Sequence, residues 1–273
     1  MFQSSVDPDL YLYHYTKVET ARDCILRSKS LKIGSFRNTN DPKETKDWIF
    51  NYALGDLNPA FEETNIVGVA ISSEIKSKSK TLSFSKDKNF SDINPLNQIF
   101  SRGFAKSRMW AQYGGNHSGV CLIFNKRILD KIIAEQFGNS HNDIYQGSVH
   151  YTNRPIADDI YKSAYTINYP YYKKLGLSEY TRRHLFTHYP RLFFEKSTDW
   201  QGEEEYRWVI VSDVEDDLYL QFENALVGVV FGESTNEQDI SQIVHLVKDN
   251  GVKFEKMKWK NCTPWLSFRL SWA

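Results

Sequence analysis

Short apolar or alternating segments, each bounded by turn residues, recur along this chain and constrain its fold more than any other feature. Residues 10–16 (Leu-Tyr-Leu-Tyr-His-Tyr-Thr) are aromatic and predict a strand, as do 31–33, 81–85, 119–124 and 148–152. Residues 66–71 form a continuous apolar run, the pattern of a strand buried on both faces. After residue 200 the segments 205–211, 218–222, 227–231, 252–258 and 267–272 follow the same pattern. Helical spacing is found between them. A helix to about Ser28 follows Thr16, which with Glu19 three residues on makes a capping box. Pro42 opens a second helix through Phe50. Others span 108–113, 126–137 and 239–250, the last ending at Gly251. Residues 76–80 (Lys-Ser-Lys-Ser-Lys) are expected as a solvated turn, and 91–97 as a loop. Strands outnumber strict βα units, so the expected class is α+β with a mixed sheet flanked by helices. No internal repeat or long linker divides the chain. The expectation is one domain over 1–273 with a helical insertion at about 156–196.

At 273 residues the chain can bury a full core. Its 34 basic and 34 acidic residues cancel, so no whole-surface nucleic-acid footprint is indicated. Cys24, Cys121 and Cys262 are odd in number and far apart, which gives neither a disulfide framework nor a paired-cysteine zinc pattern. Each is expected as a small core residue. The opening ten residues carry acids and no apolar signal core, and no run reaches membrane-spanning length. A cytoplasmic protein without membrane contact is expected.

Trp200-Gln201-Gly202-Glu203-Glu204-Glu205-Tyr206-Arg207 carries the strongest chemical signal. On an extended chain Glu203, Glu205 and Arg207 share one face, and Tyr206, Trp208 and Ile210 the other. Two acids two residues apart repel, which favours an exposed or ligand-facing strand end and a raised pKa on one of them. The plain alternative is a solvated strand start paired with lysines. His14, between Tyr13 and Tyr15, is either a satisfied core histidine or a donor to a ribose hydroxyl, with Tyr15 and Thr16 meeting a second part of the same ligand. Residues 109–120 read as a helix broken by Gly114-Gly115 before a strand. Trp110 and Tyr113 there are packing anchors or ligand-stacking rings, and the glycine spacing matches neither a dinucleotide fingerprint nor a P-loop. His184 and His188 have the one-face spacing of metal ligands but lack the intervening Glu of zinc proteases. Residues 169–194 interleave Lys173, Lys174, Arg182, Arg183 and Arg191 with aromatics, a composition that suits single-stranded nucleic acid or an amphipathic helical pair covering the sheet.

Taken in order, Tyr13-His14-Tyr15-Thr16, Asn40-Asp41-Pro42 with Glu44, Met109-Trp110 with Tyr113, His117-Ser118-Gly119-Val120, and Trp200 with Glu203, Glu205, Tyr206 and Arg207 resemble the bacterial DUF2971 proteins. The resemblance runs over roughly 10–270 and includes Val229-Val230-Phe231-Gly232. That family is similar to the ADP-ribosyltransferase superfamily, including its DNA-modifying toxin branch. The resemblance implies a mostly antiparallel split sheet with NAD, as co-substrate, in the cleft. It implies that His14 holds the adenosine-side ribose, with Tyr15-Thr16 beside the nicotinamide, where a bulky Tyr stands in place of a glycine. It further implies that Tyr113 or Trp110 stacks on the nicotinamide, and that Glu205 is the catalytic acid with Glu203 its pair. Asn40, Asp41, Glu44 and Arg207 fit the family pattern without an assigned role, and no metal is implied.

The expected activity is NAD-dependent ADP-ribosyl transfer to a macromolecule, nucleic acid or protein, by a toxin or anti-phage defence effector with an antitoxin or defence-system partner. Two other classes compete. A non-catalytic nucleotide-binding module would bind NAD and release no nicotinamide. A nucleic-acid-binding protein would show salt-sensitive binding indifferent to His14 and Glu205.

Overall fold

The computed structural model describes residues 7–88, 97–138, 142–154 and 163–267. Its centre is a large mixed sheet. The spatial order is β11 (Leu218–Gln221), β2 (Ser30–Ser35), β4 (Ser79–Lys86), β1 (Tyr11–Thr16), β5 (Val120–Asn125), β12 (Leu226–Phe231), β13 (Lys253–Lys260) and β14 (Thr263–Ser267). β10 (Glu205–Val211) pairs with β4, and β6 (Asp143–Ser148) with β10. Among the described residues only the β12–β13 pair is parallel in this sheet. Shorter parallel pairs join β3 (Asn51–Ala53) to β8 (Thr166–Asn168), and β7 (His150–Tyr151) to β9 (Glu195–Lys196).

Sequence explains the central strands directly. Val120 to Phe124 are fully buried because β5 is flanked by β1 and β12 and covered on both faces. β-branched and aromatic side chains fit such a pleated, doubly covered position. One face of the sheet presents Leu12, Phe84, Leu122, Phe124, Trp208 and Phe231. Against it lie α4 (Lys126–Phe137), through Leu129, Ile132, Ile133 and Phe137, and α7 (Glu237–Val247), through Ile240, Ile243 and Val247. Asn125 caps α4 by accepting from the Ile128 amide at 3.2 Å, and Asn236 caps α7 by accepting from the Asp239 amide at 2.8 Å.

The second face is covered in two separate patches. Tyr13, Tyr15, Ile123 and Val230 pack under α3 (Ser107–Gln112) with Phe104, Met109 and Trp110. Val209 and Tyr145 pack under α2 (Phe61–Lys78) and α6 (Leu177–Phe193). Between the patches the sheet forks. One edge of β4 pairs with β10 over its length. The other edge pairs with β1 only at Ser85 and Lys86, and with β2 only at Lys80 and Thr81. Leu82, Ser83 and Phe84 sit in the gap between those two pairings, and the fork is what positions the site.

Several expectations change. The run at 66–71 is not a strand but the middle of α2. Thr64, Val67, Ile71 and Ile75 face inward while Ile66 and Val69 are exposed, a helical spacing that short runs conceal. The expected lysine turn is the end of α2 and the start of β4, with Lys76 and Lys80 buried. The helix opened by Pro42 stops after one turn as α1 (Pro42–Thr45), where Lys46 turns extended and the Trp48 amide donates to Ser72 Oγ. The first helix is π-wound over Thr20–Leu26, and Glu19, at the N-cap of that π-wound stretch, makes no side-chain capping bond. The segment expected at 148–152 is split between β6 and β7. The middle of the chain is helical as α5 (Tyr169–Leu175) and α6, preceded by β8; residues 155–162 lie outside the described residues, as do 91–96 and 268–273. Cys121 is buried, but Cys24 and Cys262 are exposed. Among the described residues no helix is long and apolar enough to cross a membrane.

Candidate functional site

A cavity of about 270 Å³ occupies the fork. Its walls include Tyr13, His14, Tyr15, Asn40, Met109, Tyr113, Lys196, Glu203, Glu205 and Arg207, with the gap residues of β4 as one side. Five segments far apart in sequence meet there.

Strand register places the acids. Glu205 opposes Ser85 on β4, and Ser85 opposes Tyr13 on β1, so Glu205, Ser85 and Tyr13 share a face. Arg207 lies on the same face two residues on. Glu203 precedes the strand in a 3₁₀ turn (Thr198–Glu203). Glu204 between them is left-handed at φ 47°, and its carbonyl accepts from the Lys86 amide at 2.9 Å while Ser85 Oγ donates to the Glu203 carbonyl at 2.7 Å. This kink turns Glu203 inward toward the cavity.

Both acids are buried, against the solvated alternative. Arg207 grips Glu205 in a two-point clamp, Nε to Oε1 and Nη2 to Oε2, each at 2.7 Å. Lys196 Nζ lies 2.7 Å from Glu205 Oε2 and 3.1 Å from Glu203 Oε2, bridging the pair. Arg207 Nη1 also donates to Glu44 Oε1 at 2.5 Å and to the Phe193 carbonyl at 3.1 Å. Tyr113 Oη donates to Glu203 Oε1 at 2.8 Å and accepts from Asn40 Nδ2 at 3.2 Å.

The electrostatics follow from these distances. Burial pushes the Glu205 carboxyl up, but Arg207 and Lys196 outweigh it and hold it down at about 2. The raised pKa expected of a repelling pair is therefore reversed for Glu205, because two cations share the site. Burial pushes the Arg207 guanidinium down, and Glu205 and Glu44 more than restore it; Lys196 is raised against its own burial by Glu205 and its neighbours. Burial and the Glu203 carboxylate push the Tyr113 hydroxyl up to about 12, so it stays a donor. By formal charge the three carboxylates Glu44, Glu203 and Glu205 exceed the two cations by one.

His14 alternates to the opposite face of β1, with its ring 5.7 Å from that of Phe84. It is nonetheless among the residues that line the cavity. Burial lowers its pKa, and a hydrogen bond to the Ser83 backbone pulls the other way.

Other expected residues stand elsewhere. Trp110 is fully buried beneath the cavity, donating Nε1 to the Phe104 carbonyl and meeting Tyr15 edge-on at 5.1 Å. Tyr15 contributes to the wall while its hydroxyl donates to the Gly103 carbonyl. Thr16 is buried in the β1–β5 ladder, outside the cavity wall. Asp41 caps α1 by accepting from the Lys43 amide at 2.9 Å, which presents Glu44 to Arg207. The motif at 117–119 and Gly232 are packing devices. A Cβ on Gly232 would fall 2.1 Å from the His117 carbonyl, and one on Gly119 would fall 2.3 Å from that of Thr16. Lys196 is the residue that sequence reasoning missed; a lysine in an expected helix gave no sign of a buried two-residue strand.

A second, larger groove of about 880 Å³ runs along α6, lined by Arg182, Arg183, His184, Phe186 and His188. Asp143, in its wall, pairs with Val211 at the end of β10 remote from Glu205. Its cations are neutralised: Arg182 by Asp143 at 3.2 Å and Arg183 by Glu179 at 2.6 Å. His184 Nε2 is engaged with the Ala164 carbonyl at 2.9 Å, and among the described residues no cluster of three or more His, Cys, Asp or Glu could hold a metal.

Comparison with known proteins finds one similarity, confined to part of the chain. No curated protein matches the chain, and no solved structure does. Residues 109–208 match the family model described as "Protein of unknown function (DUF2971)", so the chain is similar to that family over the segment carrying Met109, Tyr113, Lys196, Glu203, Glu205 and Arg207.

Proposed function

We propose that the fork cavity is an NAD site and that the protein is an ADP-ribosyltransferase. One observation carries this: His14, Asn40, Tyr113 and the two acids, scattered over nearly two hundred residues, line a single cavity at a split in a mostly antiparallel sheet. The residues fit one end of the dinucleotide. The excess negative charge suits the cationic nicotinamide ring, and Tyr113 offers a half-buried aromatic face beside it. At about 270 Å³ the cavity falls just below the range of about 300–1,000 Å³ usual for whole-ligand sites. On this reading the cavity takes the nicotinamide–ribose half, which sets His14 beside that ribose rather than the adenosine-side one the resemblance implies, and the adenylate extends past Lys32 and Thr39, which also line the cavity.

In the reaction the bond between nicotinamide nitrogen and ribose C1′ breaks, and its electron pair leaves with the neutral nicotinamide. A nucleophile, water in the simplest case and a macromolecular group in transfer, forms the new bond to C1′ and gives up its proton to a carboxylate and then to solvent. A carboxylate near C1′ stabilises the positive charge more in the transition state than in the ground state. A toxin or anti-phage role with an antitoxin or defence partner, and the macromolecular class of the acceptor, follow from the resemblance.

Incubating the protein with NAD and measuring free nicotinamide tests this, with labelled NAD and whole-cell extract identifying the acceptor. Release above the uncatalysed rate is expected. The Arg207 clamp on Glu205 favours the binding-module alternative, under which NAD binds and no nicotinamide appears. Absence of both binding and release would overturn the assignment altogether.

A further inference from the structure

We propose that Glu203, rather than Glu205, is the carboxylate that meets the ribose in this cavity, and that Lys196 and Tyr113 position it. The inference rests on the NAD assignment and deepens it. Exposure does not separate the two acids, at 5% for Glu203 and 4% for Glu205. Their partners do. A carboxylate has about four acceptor positions. Glu205 gives three of them to Arg207 Nε, Arg207 Nη2 and Lys196 Nζ. Glu203 gives two, to Tyr113 Oη and Lys196 Nζ, and keeps a free position on each oxygen.

Charge points the same way. Glu205 borders both cations, whereas Glu203 touches only Lys196 and shares it. Glu44, the remaining acid, lies behind Arg207 and outside the cavity wall. The uncompensated negative charge that faces the cavity therefore belongs to Glu203. A developing cation on ribose is stabilised by the acid whose field is not already cancelled.

The chain also gives the acids different mechanical roles. Glu205 begins a seven-residue strand paired on both sides, and its clamp on Arg207 ties β10 to α1 through Glu44 and to the end of α6 through the Phe193 carbonyl. It is a structural counter-ion. Glu203 ends a turn, and its carboxylate is oriented by two side chains that themselves line the cavity. Lys196 is fixed in turn by the face of Trp200, 5.4 Å from the ring centre. Tyr113 is fixed by Asn40.

The test compares variants by nicotinamide release, KM for NAD and thermal unfolding. Glu203→Gln is expected to lower kcat about 10²–10³-fold, the usual cost of one lost electrostatic contact, with an unchanged midpoint and a KM within about threefold, since the ground state loses little. Tyr113→Phe keeps the ring but not the orienting bond, and is expected to lower kcat with KM preserved. Lys196→Arg retains a cation between the acids and is expected to keep more activity than Lys196→Met, which separates positioning from mere packing. Glu205→Gln is expected to lower the unfolding midpoint first. An active wild type whose Glu203→Gln variant turns over at full rate would overturn the inference, and so would a Glu205→Gln variant that melts normally but is inert. A wild type that neither binds nor consumes NAD would instead overturn the NAD assignment, and this inference with it.

Discussion

The two hollows of this protein invert the usual relation between size and chemistry. The α6 groove is more than three times larger, yet its arginines form ordinary pairs at the surface. Such pairs contribute between nothing and about 1 kcal/mol each. The fork cavity is small, but five formally charged side chains are buried at or behind its wall. Burying charge is costly even when it is paired, and hydrophobic replacements are often at least as stable. A fold that keeps such a network beside an open cavity is keeping it for something other than stability, which is why the smaller hollow carries the functional assignment.

The largest expected effect comes from breaking the network at its centre. Arg207→Met strands Glu205 and Glu44 without their cation and is expected to cost about 3–5 kcal/mol in a urea melt. A loss below about 1 kcal/mol would make the two hollows energetically alike and break the comparison. Acid should find the same weakness. The Glu205 pKa falls on folding from 4.5 to about 2, so its contribution is present above pH 4.5 and is lost as pH falls through about 2. The wild-type melting temperature should therefore drop more steeply across that window than that of Glu205→Gln; parallel curves would show that Glu205 is not the group responsible. Smaller again, Gly232→Ala forces a Cβ against the His117 carbonyl and is expected to cost about 1–3 kcal/mol, by chemical denaturation, through the loop that follows α3. Least of all, Arg182→Ala and Arg183→Ala should shift stability by less than about 0.5 kcal/mol and leave nicotinamide release unchanged. Loss of a salt-sensitive nucleic-acid interaction in these variants would instead give the larger groove a function.

Much of the frame was legible because its strands carry their own signal. β5 and β10 read as strands from their β-branched and aromatic content, and α4 from its spacing. α2 was not, since six consecutive apolar or small residues look alike in a strand and in a helix until the flanking turns are counted. The site was legible in its members but not in its wiring. Glu203, Glu205, His14, Asn40 and Tyr113 stand out in sequence, and the fold gathers them. Nothing local announces that Lys196 bridges two acids seven and nine positions ahead, or that Glu44 completes an arginine clamp from 163 residues away. Trp110 misled for the opposite reason: an aromatic beside a glycine turn has the same sequence whether it faces a ligand or the core.

Glu204 has one more consequence. A non-glycine residue in the left-handed region costs roughly 1–2 kcal/mol relative to a relaxed backbone, and here it stands between the two acids. Glycine at 204 would relieve that penalty, but it would also free the hinge angle that sets how far apart the carboxylates sit. The chain thus holds a fixed spacer where a looser one would be more comfortable, and the separation of its two acids is written into the backbone rather than left to their mutual repulsion.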